Sequence, residues 1–327
     1  MKPFIRLNDN ERLFIAVTAM NAAASVKEVA ARLGIREHRV RHIRDSLLQR
    51  EVITPIYMID TYRMGFTDFR VFLSDIAEPT RVRTSFEKRV LQHHQAYWVA
   101  RLNGAHQYGI TFLAKDPCEM IDFFAAVQPH PDGLYANKTI SIAGDWTVFS
   151  PSYLAPEFRE RGSITTTSRV RIPPLEHQDI SILEAMARNP SANIATLARK
   201  TGMAATSLTY RVDKLTEMQV IRGQTYLLNC PSLGISVYRI MVVEKGLSLP
   251  ERERLRKYFY QHPNVCAFLA CTGGWDYELR FECANPESVE EFSQNIVDNF
   301  GAGIGSIQVS QQIKILKRIS YPCAAKP

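Results

Sequence analysis

Shifted by 168 residues, the chain meets itself: Val29-Ala-Ala-Arg-Leu-Gly34 falls on Leu197-Ala-Arg-Lys-Thr-Gly202, and Val52-Ile53 on Val220-Ile221. After one inserted residue the register continues at 169, pairing Met64-Gly65 with Leu233-Gly234, Gln92-His93 with Gln261-His262, Tyr108 with Tyr277, Phe112 with Phe281, Pro117 with Pro286 and Phe123 with Phe292. Whatever one half folds into, the other must fold into as well, so function is to be sought in the unit and in how its two copies differ. At 327 residues the chain exceeds a single core. The expected division is 1–54, a head; 55–150, a linking strand and body; 151–174, a linker; 175–228, a second head; and 229–327, a second body.

Residues 1–54 hold 10 Lys and Arg against 6 Asp and Glu, whereas residues 55–150 hold 9 against 10. The positive excess therefore lies on the first head, as a polyanion-binding surface requires. With 46% hydrophobic and 22% charged residues the composition is globular, and no apolar run reaches membrane-spanning length. The opening MKPFIRLNDN lacks the apolar stretch of a secretory leader, which predicts a cytoplasmic protein with no membrane partner. Six cysteines, Cys118, Cys230, Cys266, Cys271, Cys283 and Cys323, include no C-x-x-C pair and read as buried free thiols.

Each head reads as three helices. In residues 7–24 the buried stripe Phe14, Ile15, Thr18 is matched by Ile182, Leu183, Met186. Ser25 is an N-cap with Glu28 three residues on, Val29, Ala30 and Leu33 form an inner face, and Gly34 closes the second helix; Asn193, Leu197, Ala198 and Gly202 repeat the plan. A short glycine turn between small-residue helices is the signature of a helix-turn-helix. The third helix of copy one turns Val40, Ile43 and Leu47 inward and leaves Arg36, His38, Arg39, Arg41, His42 and Arg44 outside. That of copy two turns Leu208, Val212 and Leu215 inward and leaves Thr206, Ser207, Thr209, Tyr210 and Arg211 outside. Arginines pair with guanine and hydroxyls with bases or phosphates in a major groove, so both faces are candidate contacts to double-stranded DNA. His38 and His42 have a metal-binding i, i+4 spacing, but four arginines on the same helix repel a cation, and no metal or cofactor is expected. Residues 51–60 and 219–228 are each long enough for a short hairpin, which would make the heads winged.

Beyond Gly65 the pattern becomes β-α-β-β-α-β: strands at 69–73, 97–102 and 108–113, matched by 238–243, 265–271 and 277–283, with helices near 79–94 and 249–261 and closing strands near 140–149 and 307–316. This is the ferredoxin-like order, in which two helices cover one face of a four-stranded sheet and the other face needs a partner. The fold class is thus α+β, with two winged helix-turn-helix domains and two ferredoxin-like domains.

The segments Leu175-Glu-His-Gln-Asp-Ile-Ser-Ile-Leu183, Tyr210-Arg-Val-Asp-Lys-Leu215, Val220-Ile-Arg-Gly223 and Thr272-Gly-Gly-Trp-Asp-Tyr-Glu-Leu279 resemble the leucine-responsive regulator and AsnC family of transcription factors. The resemblance covers nearly the whole chain, twice. It implies a DNA-binding head and a body that dimerises through its sheet, hence a homo-oligomer, and binds amino acids or related effectors near the Gly-Gly-x-Asp turn; the fused bodies could pair within one chain or with those of another, and the sequence does not choose. There Thr272, Gly273, Gly274 and Asp276 are the candidate effector residues, with glycine N–H groups for a carboxylate and Asp276 for an ammonium group. The first copy offers only Gly104 and His106, without the second glycine or the aspartate. The leading expectation is a regulator without catalysis. The alternative rests on a second resemblance, to siroheme decarboxylases, which share this fold and occur as fused pairs. His106 and Tyr108 align with part of their pattern, but Trp98-Val-Ala-Arg-Leu102 stands where their His-Asn-Tyr-x-Arg segment is expected.

Overall fold

The computed structural model describes residues 3–74, 80–127, 137–158, 160–319 and 321; Cys323 and Arg159 lie outside them. The first head consists of α1 (Asp9–Thr18), α2 (Val26–Leu33) and α3 (Glu37–Gln49), followed by β1 (Ile53–Ile59). The body that follows is β2 (Thr67–Ser74), α4 (Thr80–Gln92), β3 (Ala96–Gly104), β4 (Tyr108–Ala114), α5 (Pro117–Val127) and β5 (Asn137–Phe149). After β6 (Ser163–Thr167) the same order returns: α6 (His177–Arg188), α7 (Ile194–Thr201), α8 (Ala205–Glu217), β7 (Ile221–Leu228), β8 (Ser236–Glu244), α9 (Leu249–Gln261), β9 (Val265–Gly273), β10 (Tyr277–Cys283), α10 (Glu287–Phe300) and β11 (Ile304–Arg318).

Local chemistry sets the head helices. The Ser25 hydroxyl accepts from Glu28 N at 3.1 Å and the Asn193 carbonyl from Thr196 N at 2.9 Å, capping α2 and α7. Gly34 and Gly202 end these helices at φ of 64° and 70°, left-handed values that an L side chain resists. Phe14, Ile15, Val29, Val40 and Leu47 form one head core, and Ile182, Leu183, Leu197, Leu208 and Leu215 the other.

Each body strand alternates. On β2, Phe69, Val71 and Leu73 pack outward under α4 and α5, while on β8 Tyr238, Ile240 and Val242 do the same under α9 and α10. The strands pair in the order β2-β4-β3-β11-β8-β10-β9-β5-β6, and β2 also pairs with β5, so eight of the nine close into a ring with β6 lying beyond. The two lateral seams are antiparallel, Gly104 facing Ser310 between β3 and β11 and Gly273 facing Ser141 between β5 and β9. The partner that each sheet needs is thus the other half of the same chain, the within-chain arrangement of the two that the sequence left open.

Two expectations change. Neither head forms a hairpin of its own: β1 and β7 are single strands that pair with each other, Ile53 opposite Leu228 and Ile56 opposite Thr225. Pro55 and the β-branched residues beside it provide no turn, so each strand finds its partner across the molecule. The linker also contributes structure, since the Ser-Ile-Thr-Thr-Thr of β6 extends the sheet along Asp145–Phe149. The ribbon ties the halves together, because Ile59 enters the core of the second head and Tyr226 packs on that of the first.

Candidate nucleic-acid interface and interior cavity

On α3 the inward residues Val40, Ile43 and Leu47 are buried, which leaves the basic face turned outward. Arg36, at the N-cap, and His38, Arg39, Arg41 and His42 are exposed. Arg41 is paired along the helix with Glu37 at 2.9 Å, and Arg44 is half-buried against Asp45 at 3.1 Å. On α8, Thr206, Ser207, Thr209 and Tyr210 are exposed, Tyr210 to 70%. Arg211 departs from its expected place: it folds back on the start of α6, donating to Asp179 Oδ1 and Glu176 Oε2, both at 2.9 Å. It fastens two helices of the head together, a part that Arg50 plays on buried Glu11 in the first head.

The candidate effector residues are brought together at the seams. Thr272, Gly273 and Gly274 are exposed, but the turn's N–H groups are engaged by the chain: Gly274 N on Ile140 O at 3.0 Å, Trp275 N on Ser141 Oγ at 3.1 Å and Asp276 N on Val242 O at 3.0 Å. The Asp276 carboxylate accepts from Glu244 N at 2.8 Å. In the equivalent place His106 is buried, its backbone N on Ser310 Oγ at 3.1 Å and its ring edge-on to Phe72; burial holds its pKa below the usual value. Tyr108 points to the helical side and donates to Glu87 at 2.6 Å.

The feature that sequence reasoning missed is inside. At one end Phe72, His106, Trp275 and Met241 plug the barrel, and at the other a cavity of about 990 Å³ extends from the barrel wall to the β1–β7 ribbon. Arg70, Arg239, Arg280 and Arg318 line it. Arg70 is paired with Glu278 at 2.8 Å, Arg239 reaches the same carboxylate at 3.5 Å, and Arg280 pairs with Glu282 at 2.5 Å. Trp98 lies beneath Arg239 and Arg70, 4.5 and 5.3 Å from ring centroid to guanidinium carbon. Desolvation, together with the neighbouring arginines, pushes Arg239 down to about 9 and Arg318 down to about 10. Burial raises Asp68 to about 6 beside the Tyr97 hydroxyl, which donates to it at 3.0 Å. The signal available in the sequence was an arginine among aliphatic residues on a strand, as in Phe69-Arg-Val-Phe-Leu73 and Tyr238-Arg-Ile-Met-Val242.

The winged helix-turn-helix DNA-binding family matches residues 175–222, the segment from the start of α6 to the start of β7. The match takes in the three helices of the second head, whose following strand β7 pairs with β1 and forms no hairpin of its own. The chain is similar to an uncharacterised HTH-type transcriptional regulator of Pyrococcus horikoshii, 28% identical over 35% of this chain and 77% of that protein. It is also similar to the HTH-type transcriptional regulator LrpC of Bacillus subtilis, 26% identical over 36% of this chain and 81% of that protein. Both relatives are HTH-type transcriptional regulators, and each likeness covers about a third of this chain.

Over the whole length the likeness is of another kind. Siroheme decarboxylase NirDL covers 96% of this chain and 94% of its own at a TM-score of 0.60 and 9% identity, a likeness of fold. Since that protein is an enzyme, the expectation of a chain without catalysis is withdrawn. No helix among the described residues is long and apolar enough to cross a membrane, and no group of three metal-binding side chains occurs among them. Cys230, Cys266 and Cys283 are buried as expected, Cys271 is half-buried, and Cys118 is exposed.

Proposed function

We propose that the chain is a sequence-specific DNA-binding transcription regulator of the leucine-responsive/AsnC type, built from two tandem copies of one unit and controlled by a small molecule bound in the body. The observation that carries it is the outward basic face of α3, Arg36 to His42, on the same three-helix plan as the matched domain. Both heads are assigned to DNA. The α3 face supplies phosphate neutralisation and guanine contacts, and the α8 face supplies hydroxyls and Tyr210. Because the two faces differ, the preferred site is asymmetric, with contacts in successive major grooves about 34 Å apart. Selection of genomic fragments by the purified protein, followed by fluorescence anisotropy on the enriched sequence, tests this directly. A lack of duplex binding at low salt would sink the reading.

For the effector, Thr272, Gly273, Gly274 and Asp276 remain the family-derived candidates, although in the structure their donors and the Asp276 carboxylate are turned to the protein. A second reading, siroheme decarboxylase activity, is favoured by the end-to-end likeness to NirDL and by the arginine-lined cavity. It requires loss of substrate carboxylate as carbon dioxide, with a proton taking its place. Incubation with siroheme, read by mass spectrometry, decides it.

A further inference from the structure

The cavity between barrel and ribbon has two properties that packing alone does not produce. The first is an excess of positive charge. Four guanidinium groups, Arg70, Arg239, Arg280 and Arg318, meet the carboxylates of Glu278 and Glu282, with Asp68 behind Arg70. Arg70 and Arg239 are only 4% and 5% exposed, so water does little to offset that excess. The second is a set of donors shut off from solvent without a protein partner: Arg239 Nε, Arg280 Nε and Trp98 Nε1, all on residues that line the cavity. A buried polar group left unpaired is costly, and these three donors, with the acceptor Gln312 Oε1 on the same wall, indicate a site organised for a ligand that bears negative charge and chiefly accepts hydrogen bonds.

Shape narrows the class. At about 990 Å³ the chamber is at the upper end of small-molecule pockets, far larger than an inorganic ion needs. Trp98, beneath Arg239 and Arg70, and Trp146, Tyr226 and Leu269 give it broad apolar walls. We propose that this cavity binds an organic anion, a carboxylate or phosphate ester on a broad apolar skeleton, and that this ligand is the effector of the chain. The acid group meets Arg239 and Arg318, and the skeleton lies along the tryptophans toward the ribbon.

The position explains how such a ligand reaches the heads. The cavity's ribbon wall is β1 and β7, which follow α3 and α8 directly and enter the cores of the opposite heads at Ile59 and Tyr226. A molecule touching both barrel and ribbon biases where the two recognition helices stand, which is the differential interaction a regulatory ligand needs. Only this coupling rests on the DNA-binding function proposed above; the binding site itself does not.

The test uses two probes with one skeleton, the anion 1-anilinonaphthalene-8-sulfonate and its uncharged counterpart N-phenyl-1-naphthylamine, titrated into the full chain by fluorescence. The anion is expected to bind once per chain, at least about tenfold more tightly than the neutral probe, with energy transfer from Trp98 and Trp146. Arg239→Gln and Arg318→Gln should each weaken the anion about tenfold and the neutral probe less than about twofold, while Arg239→Lys retains most of the affinity. Arg318 is half-buried where Arg239 is buried, so its variant carries the test if Arg239→Gln does not fold by circular dichroism. Equal binding of the two probes, or anion affinity unchanged in the folded variants, overturns the site. DNA anisotropy with and without the anionic probe separates the two claims: probe binding that leaves DNA affinity unmoved keeps the site and removes its effector role, whereas loss of DNA binding altogether strikes the regulator reading alone.

Discussion

Arg211 shows how one side chain changes the reading of a whole face. Its guanidinium holds Asp179, whose side chain is 3% exposed, so Arg211→Ala leaves a carboxylate buried without its cation. The cost should be about 1–3 kcal/mol in urea denaturation, and any loss of DNA affinity in that variant follows from a loosened head. Tyr210 separates DNA recognition from scaffold: Tyr210→Ala should alter stability by less than about 0.5 kcal/mol while weakening DNA binding. The paired histidines His93 and His262 make a pH prediction. Burial pushes each down to about 4, His93 also feeling His94 and Lys317, and His262 also Arg161. Below the ordinary value near 6.5 the unfolded chain takes up protons that the folded chain refuses, so stability falls as pH drops from about 6.5 toward 4. Asp68 acts in the opposite sense, since a carboxyl raised to about 6 contributes stability at low pH that is lost as pH rises through 6. Comparing wild type with a His93→Gln, His262→Gln double variant by thermal melts at pH 7 and pH 5 isolates the histidine part, which should shrink the acid loss.

Among the elements, the seams between body halves are the least forgiving. Gly104 and Gly273 have φ of 114° and 128°, and a Cβ on either would stand 2.6 Å from a backbone oxygen of the facing strand, Val309 O or Ile140 O. Backbone cannot yield as a side-chain tip does, so Gly104→Ala and Gly273→Ala should each cost roughly 1–3 kcal/mol and broaden the melting transition as the halves uncouple. An unchanged melt in either variant contradicts this account of the seam. The helices and most body strands were legible because their causes are local: a 3, 4 apolar stripe, an Asn or Ser cap, a closing glycine, alternating aliphatic residues. The fate of β1 and β7 was not, since single strands and hairpins of Val-Ile-Thr sequence differ only in what lies opposite. For the same reason β6 escaped notice within a proline-flanked stretch, and Arg70 and Arg239 passed as ordinary strand residues until ring closure brought them together.

At the scale of the molecule, ring closure makes one chain do what two copies of a single unit would do, and that frees the heads to diverge. The first head keeps its cations outward on α3, while the second turns Arg211 inward and presents hydroxyls. Electrostatic attraction to DNA should therefore come mainly from one side. Removing a cation that neutralises a phosphate lowers the slope of log affinity against log salt by about 0.9, so Arg39→Ala with Arg41→Ala should flatten it by up to about 2. Thr206→Ala with Thr209→Ala should leave the slope almost unchanged and relax base preference in one half of the site. A slope reduced equally by both pairs, or an enriched site with perfect two-fold symmetry, would mean that the heads act as equals and that the division of labour read from α3 and α8 is wrong.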